Sequence, residues 1–516
     1  MTRTRLVIGA LATAACLVLA GPALAAPVEV SGPSATAAKK KKKVKRKTFT
    51  VCKRGCKIRT VKAAVAKASK LNKKLKKSKR FRVTIKVKPG TYKEAVVAQG
   101  HHLDNLAIVG ATKNAKKVVF DGQELPTPGN GVNEVGIFGI DVNGMKIQNL
   151  TVKNYAYTGV KVEGLTKPCD GFLMKNLRAE YNRTYGLYSF NCKGGTMSDS
   201  VAFGQADAGY YVGSTPNQTK PKWTILEDLD AHLNVLGYSG TNSKYVHIRD
   251  SAFYNNGAGI VPNTLDSQEY EPNAAGKITN NKIFWNNLNY YNGDWSGVPN
   301  DELPDDLQSG APNAALATCS NPSPACSPID PTDVGRLSNS PLEQFYPFGI
   351  GVILHGSDGW KVESNEIFGH NGVGVAIVTD PTNTDGNAVA KNNQVKSNAL
   401  GRSNTDPNGY DFFYDGAGTG NCFSGNTTGG GSPSLLNDSS GPVVSDGALY
   451  AGCPGGYSGG SSPNGGQFGF VTDLVLRSIT QQCGFFISAG TAHPAFSWKG
   501  TAYTPYEVTR PITCPI

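Results

Sequence analysis

The sequence has no stop-transfer segment after its first 25 residues, so we expect no membrane-spanning helix. It has no Asp or Glu between Lys39 and Lys93, where it has 25 Lys and Arg. It also has no Cys/His pair that would complete a metal site with Cys52 and Cys56, which argues against structural zinc. These absences favour a protein that is neither membrane-anchored nor zinc-stabilised and that carries one strongly basic segment.

The first 25 residues have the pattern of an export signal. Arg3 and Arg5 precede an apolar run, and Ala23 to Ala25 form an A-x-A cleavage site. This predicts a signal peptide (1–25) and a secreted or cell-wall-associated protein. The ten cysteines beyond it fall into local pairs, which suggests disulfides in an oxidising compartment, although other pairings are open. The local pairs are Cys52 with Cys56, Cys169 with Cys192, Cys319 with Cys326, Cys422 with Cys453, and Cys483 with Cys514.

Charge is divided unevenly along the chain. From Glu94 onward there are 25 Lys and Arg against 38 Asp and Glu, so an acidic body follows the basic segment. Residues 26–56 read as a basic linker. Two interpretations remain open for the Lys-rich N-terminus: it binds an anionic surface such as cell-wall polymer or lipid headgroups, or it is a solvated tether. The export signal argues against nucleic acid as the partner.

The main body repeats a short unit of Asn or Asp, an apolar stretch, a second Asn and a Gly. A fixed period of this kind is typical of a stacked repeat architecture. The apolar runs are too short and too rich in Gly and Asn for helices, which predicts an all-β solenoid with structural Asn at its turns. The spacings in the Asn/Asp column are 27, 23, 29, 22, 31, 84 and 28, and the long one contains an insertion at 288–349. The column is Asn149, Asn176, Asp199, Asp228, Asp250, Asn281, Asn365 and Asn393.

The segment before the repeats supports a more specific expectation. TVKAAVAKASKL (60–71) has apolar residues at helical spacing, and TIKVKPGTY (84–92) alternates like a strand. Together with the repeats, this region resembles the pectin-lyase-like superfamily over 57–426. The resemblance implies a right-handed parallel β-helix whose first coil is capped by a short N-terminal helix. Residues 427–516 are then a Gly/Ser-rich, disulfide-stapled C-terminal extension.

In the resembled fold, ligands bind along one strand of each coil, here the strand that begins with Gly. Alternation turns Val160 and Val162 inward and Lys161 and Glu163 outward. Asp411 and Asp415 face outward if Phe412 and Tyr414 point in. The expected substrate-binding residues are Lys161, Tyr188, Tyr211 and Asn263.

Chemistry is expected where acidic loops follow these strands. We expect His355, Asp380 and Asp411 to be catalytic, because a histidine between carboxylates suits acid–base work. We expect Asp266, Glu269 and Glu271 to bind Ca²⁺, which prefers oxygen ligands. A solvated acidic edge is the alternative for both sets.

No enzyme of the superfamily is matched in its motifs. The acidic and histidine motifs of polygalacturonases are not reproduced on successive coils, and the D-P-H-D motif of alginate epimerases is absent. The sequence therefore predicts a secreted β-helix that binds, and cleaves or modifies, an extracellular polysaccharide in the manner of a lyase, epimerase or hydrolase. The alternative is a non-catalytic adhesive protein of the cell wall or matrix.

Overall fold

The computed structural model describes residues 44–123, 125, 134–266, 268–288, 298–303, 348–380, 386–435, 449–457 and 493–506. The predicted signal peptide, most of the insertion at 288–349 and most of the C-terminal extension lie outside these residues. Within the described part of the chain, no helix is both long and apolar enough to cross a membrane.

Two long parallel sheets form the body of the protein. The ten-stranded sheet contains one strand from each coil, and each strand pairs in parallel with the strand of the next coil. Its strands are Val96–Gln99, Ile137–Ile140, Thr158–Glu163, Tyr185–Phe190, Ala208–Gly213, Leu236–Thr241, Ala258–Asn263, Ile350–His355, Val373–Val378 and Tyr410–Tyr414.

The eighteen-stranded sheet supplies the other two sides of each coil. Its first nine strands are Arg46–Val51, Arg82–Val87, Gly90–Tyr92, Ala107–Gly110, Val118–Asp121, Met145–Lys153, Phe172–Glu180, Gly195–Phe203 and Thr224–His232. The other nine are Val246–Arg249, Ala252–Tyr254, Lys277–Thr279, Lys282–Phe284, Lys361–Glu363, Glu366–Phe368, Gln394–Lys396, Ala399–Leu400 and Cys422–Ser424. The stacked coils confirm the predicted all-β, parallel β-helix fold.

One bend recurs in successive coils at a residue with left-handed backbone. The bend falls inside the nine-residue strand Met145–Lys153, at Asn149 with φ 60°, and recurs at the same place in later coils. Asn and Asp tolerate this conformation better than other residues with a side chain. The predicted column is correct for its first five members, but Asn281 and Asn365 stand one residue beyond the bend and Asn393 lies four residues before the bend at Ser397. The observed bend residues are Asn149, Asn176, Asp199, Asp228, Asp250, Asn280, Ser364 and Ser397.

Aliphatic and aromatic side chains form continuous columns inside the coils. One column of the ten-stranded sheet runs from Ile137 through Val160 to Phe412, with one buried side chain in each coil. A matching column of the eighteen-stranded sheet runs from Ile85 to Phe423. Parallel strands place like residues above one another about 4.8 Å apart, so each layer buries the next.

Buried amides form a second set of columns. The side chain of Asn281 donates to Oδ1 of Asn365 at 3.0 Å, and that of Asn365 donates to Oδ1 of Asn398 at 3.0 Å. The same oxygen of Asn365 also accepts the backbone N–H of Asn281. A parallel ladder contains Asn182, Gln205, Asn234, Asn256, Asn286, His370 and Asn408. These side chains satisfy backbone groups that the turns leave unpaired.

The predicted capping helix is present at Val61–Lys73, with Val61, Ala64, Val65 and Ala68 buried. Thr60 accepts from Ala63 N–H, and the Glu94 carboxylate accepts from Val61 and Lys62 N–H. The helix therefore covers the apolar end of the first coil with its N-terminal amides satisfied.

The basic linker is shorter than predicted. Residues Arg46–Val51 form a strand whose whole length pairs with Arg82–Val87, so the β-helix begins before residue 57. The many lysines around this strand hid its alternation in the sequence, whereas Phe49 packs against the core and Val51 is buried.

Three of the predicted cysteine pairs are bonded: Cys52–Cys56, Cys169–Cys192 and Cys422–Cys453. The other two predicted pairs lie outside the described residues. Cys169 and Cys192 occupy short paired strands, Cys169–Asp170 and Cys192–Lys193. In the C-terminal extension, Leu449 packs on the last coils, and Phe496–Trp498 forms an antiparallel hairpin with Thr501–Tyr503. Short 3₁₀ helices complete the described elements, at Lys77–Lys79, His101–Leu103, Ala115–Lys117 and Asn300–Glu302.

We predict that Asn365→Ala lowers the free energy of unfolding by about 1–3 kcal/mol, because buried backbone and amide groups of Asn281 lose their acceptor. Chemical denaturation would measure the change. Asn217→Ala, at an exposed position, is the control and should be close to neutral. Equal losses in the two variants would contradict a stabilising role for the ladder.

Candidate functional site

The outward side of the ten-stranded sheet is the face on which the site was predicted. Val160 and Val162 point into the core, while Lys161 and Glu163 lie on the outer side. The strand register aligns the outer residues of neighbouring coils in two columns. One column contains Lys161, Tyr188 and Tyr211, and the other contains Asn263 and His355. The strands predicted to begin with Gly lie in this one sheet, and ligand binding on its outer face stays a prediction.

His355 ends its strand on this face and is half-buried. Burial lowers the pKa of its imidazole below the usual value, and the negative charge of Asp380 opposes that shift. His355 pairs with Asn263 in the coil before it and with Val378 in the coil after it. A neutral imidazole beside a carboxylate is able to accept a proton from a bound molecule.

Asn263 presents an unused acceptor beside His355. The residue is 2% exposed, and its Nδ2 donates to Ser239 Oγ and to the Val261 carbonyl, both at 3.3 Å. Its buried Oδ1 accepts no hydrogen bond from the described residues. A buried acceptor without a donor is uncommon in folded proteins, so this atom marks the position as a candidate ligand contact.

Asp411 does not belong to the site, contrary to the prediction. Its Oδ1 accepts from Asn408 Nδ2 at 2.9 Å, and its Oδ2 accepts from the Ser434 N–H at 2.9 Å. It stands at the start of its strand, about 13 Å along the strand from the level of His355. Its carboxylate instead ends the amide ladder that passes through Asn408.

Asp415 occupies the place that the prediction gave to Asp411. The register puts it in the outer column of His355 and Val378. It accepts the Thr379 N–H at 2.6 Å and the Ala417 N–H at 2.9 Å. Burial outweighs these hydrogen bonds and raises the pKa of Asp415 to about 6.

Tyr188 and Tyr211 pack against each other rather than presenting free faces. Their rings are stacked with centroids 4.5 Å apart, and both are buried. Burial raises the pKa of each tyrosine, and Gln268 hydrogen-bonds the Tyr211 hydroxyl. The two rings therefore form a packing ladder, and substrate binding by Tyr188 and Tyr211 stays a prediction.

Lys161 is held by its neighbours. Its Nζ lies 3.0 Å from Oε2 of Glu163 and 4.9 Å from the centroid of the Tyr188 ring. It is separated from the coil of His355 by five coil steps, or about 24 Å. Lys161 therefore cannot act on the same bond as His355, and its predicted role is limited to binding a distant part of a long ligand.

The residues predicted to bind calcium follow the strand Ala258–Asn263. Asp266 and Glu269 are exposed and Glu271 is half-buried. In the described ranges, no group of three or more His, Cys, Asp or Glu side chains is arranged to hold a metal ion. Calcium binding by Asp266, Glu269 and Glu271 stays a prediction.

A buried charged cluster on the eighteen-stranded sheet was missed by the sequence reasoning. Nδ1 of His232 lies 2.6 Å from Oδ1 of Asp230, and its Nε2 lies 3.3 Å from Oε2 of Glu302. The His232 ring is sandwiched between Phe203 and Tyr254 at centroid distances of 5.1 and 5.0 Å. The cluster joins the β-helix to Glu302 of the insertion.

Charge sets the protonation of this cluster. Burial alone would lower the pKa of His232, but Glu302 and Asp230 outweigh it and raise the pKa to about 10. Burial favours the neutral form of Glu302, yet His232 and the Tyr506 hydroxyl lower its pKa to about 2. The Tyr506 hydroxyl donates to Oε2 of Glu302 at 2.5 Å, so the C-terminal segment is tied to the same group.

One sequence signal could have located His232. Aligning the repeats places it in an aromatic column with Phe203, Tyr254, Phe284 and Phe368, which stack in successive coils. A histidine within an aromatic column, two residues after Asp230, indicates an imidazolium held against a carboxylate. Glu302 could not be assigned to it, because no periodicity connects the insertion to this column.

Comparison with known families agrees with the fold. The sequence profile described as "right handed beta helix region" matches residues 135–298. This match covers about a third of the chain, and the fold of the described residues is the right-handed parallel β-helix that the resemblance implied. No curated protein matches its sequence.

Several solved structures are similar to the chain at low identity. The A-module of mannuronan C-5 epimerase AlgE4 from Azotobacter vinelandii has 11% identity and a TM-score of 0.35, covering 73% of this chain and 87% of that one. An alginate lyase from Paenibacillus sp. has 11% identity and a TM-score of 0.33, covering 75% and 97%. At these identities and scores the likeness carries no information on substrate.

We predict that Glu302→Gln lowers the free energy of unfolding by about 1–3 kcal/mol, because His232 loses a charged partner. In the parent protein, the contribution of His232 to the free energy of unfolding is present below its unfolded pKa of 6.5 and is lost as pH rises through about 10. The contribution of Glu302 to the free energy of unfolding is present above pH 4.5 and is lost as pH falls towards about 2.

The variant should therefore lose stability at a lower alkaline pH than the parent, measured by thermal unfolding from pH 4 to 11. Asp301→Asn changes the exposed neighbouring acid and serves as the control. Parallel pH profiles for Glu302→Gln and the parent protein would contradict the ion-pair assignment.

Proposed function

We propose that this protein is an exported enzyme that acts on an acidic polysaccharide, with His355 as the residue that accepts a proton. A β-helix offers a long, regular outer surface, which suits a ligand that is itself long and regular. The export signal and the disulfides Cys52–Cys56, Cys169–Cys192 and Cys422–Cys453 support an extracellular or cell-wall location.

The observation that carries this proposal is the pairing of His355 with Asn263. The imidazole is half-buried with a lowered pKa, so it is neutral near pH 7. The adjacent amide oxygen of Asn263 is buried and accepts nothing from the described residues. A neutral base and an unused acceptor side by side favour binding of a sugar hydroxyl next to the atom that loses its proton.

The reaction that fits a single neutral histidine is removal of a proton next to a uronate carboxylate. The C5–H bond breaks and the proton moves to a nitrogen of His355. In a lyase, the electron pair forms the C4–C5 double bond and the glycosidic oxygen on C4 leaves, taking a proton from water. In an epimerase, a proton returns to the opposite face of C5. Asp380 favours the protonated imidazole that both routes form.

A second function is favoured by the surface charge of the first coil. Nineteen Lys and Arg side chains between Lys45 and Lys93 are exposed, and the sequence has no acid over that range. A non-catalytic adhesive protein that holds an anionic cell-wall polymer would use this surface and would not need His355. The two functions differ in turnover, not in affinity for the polymer.

We predict that purified full-length protein releases unsaturated product from a uronate polymer, measured by absorbance near 235 nm, and that His355→Ala lowers the rate by about 10²-fold or more. Incubation in deuterated water would detect epimerase chemistry as exchange at C5. His247→Ala, at a half-buried histidine of the eighteen-stranded sheet, is the matched control and should keep its rate.

His355→Gln tests for a merely structural effect, since the side chain keeps its size but cannot act as the base. The Gln variant should unfold like the parent and remain inactive. Absence of both elimination and exchange across polygalacturonate, alginate and neutral glucans would overturn the enzymatic proposal and leave the adhesive function.

The proposed calcium role has its own measurement. If Asp266, Glu269 and Glu271 hold Ca²⁺, removal with EDTA should lower turnover, and Ca²⁺ should restore it. Asp266→Asn together with Glu269→Gln should abolish that restoration. Turnover that is unchanged by EDTA would show that the reaction does not depend on these carboxylates.

A further inference from the structure

An open cavity of about 550 Å³ lies between the capping helix Val61–Lys73 and the first strand of the ten-stranded sheet. We call it the cap groove. The helix contributes Lys62, Ser69 and Lys73 to its walls, and the sheet side contributes Gln99 and His102. None of its ten lining residues is acidic.

Basic and polar side chains line the groove together with the apolar side chains of Val65, Ala66, Val97 and Leu103. His102 is positioned by a hydrogen bond of 2.8 Å between its Nε2 and Ser69 Oγ. Lys62 and Lys73 are exposed, and neither has an ion pair among those identified in the described residues. Burial and then the nearby charges of Arg80 and Lys73 lower the pKa of His102, although the charge of Asp104 opposes them.

The groove also continues the outer face of the ten-stranded sheet. Val97 and Gln99 line it, and they pair with Phe138 and Ile140 of the next coil. Those residues pair in turn with Lys161 and Glu163. A chain molecule lying along the outer columns would therefore reach the cap groove at the first coil.

We propose that the cap groove is a binding subsite for the carboxylate groups of an acidic polysaccharide, held by Lys62, Lys73 and the polar side chains of Ser69 and Gln99. The ammonium groups supply charge and the polar groups accept or donate to sugar hydroxyls. The subsite deepens the proposed function by naming the charge of its ligand. It rests on that function only for the polysaccharide nature of the ligand, and its test does not require turnover.

The experiment compares two double variants of the full chain that remove the same charge. Lys62→Gln with Lys73→Gln alters the groove. Lys47→Gln with Lys86→Gln alters exposed lysines on strands of the same coils, away from it. Affinity for polygalacturonate and for its methyl-esterified, uncharged form is measured at two salt concentrations, in EDTA to exclude bridging by calcium.

The groove variant should bind polygalacturonate about tenfold more weakly, while the control changes less than about twofold. The methyl-esterified polymer should not distinguish the variants. Equal weakening by both pairs would mean diffuse attraction to the basic surface and would overturn the subsite, as would no weakening at all.

A second arm uses vesicles of phosphatidylserine and phosphatidylcholine. Loss of vesicle binding in the groove variant, with polygalacturonate binding retained, would overturn the proposal in favour of a lipid surface. None of these variants alters His355. If the parent protein is inactive but the groove variant still binds polygalacturonate more weakly than the control variant, the proposed catalysis is overturned and the subsite is kept.

Discussion

The structure depends on the hydrogen bonds that pass from one coil to the next through buried amides. Each coil must turn its backbone sharply, and a sharp turn leaves N–H groups without strand partners. Side chains such as Asn256 and Asn365 accept those N–H groups and donate to the next coil, so one residue type satisfies the turn and aligns the stack. These hydrogen bonds fix the register of the coils, and the apolar columns pack inside them.

The outer chemistry follows from that register. Because like positions repeat about every 4.8 Å, a residue on the outer side of one coil has a neighbour directly above it. This pairs Asn263 with His355 and puts Asp415 in the same column. The same regularity stacks Tyr188 on Tyr211, where it consumes the ring faces that a sugar would need.

Repetition made much of this predictable. Periodic Asn and Gly indicated the coils, and alternation gave the inner and outer sides, so Val160, Lys161 and Phe412 were assigned correctly. Alternation does not distinguish one end of a strand from the other, and for that reason Asp411 was chosen where Asp415 lies. Contacts made by non-repeating segments left no pattern in the sequence, as with Glu302 and Tyr506 around His232.

The ladder that ends at Asp411 has a direction. The side chains of Asn234, Asn256 and Asn286 each donate to the ladder residue of the next coil. Neutral His370 keeps the same direction, because its Nε2 accepts from Asn286 and its Nδ1 donates to Asn408. Asn408 donates to Oδ1 of Asp411, and the side-chain ladder ends there. A coil could be duplicated anywhere within the ladder without reversing a single bond, but not beyond Asp411. An added coil in the middle of this ladder would therefore keep the sense of its hydrogen bonds, whereas the ladder itself ends at Asp411.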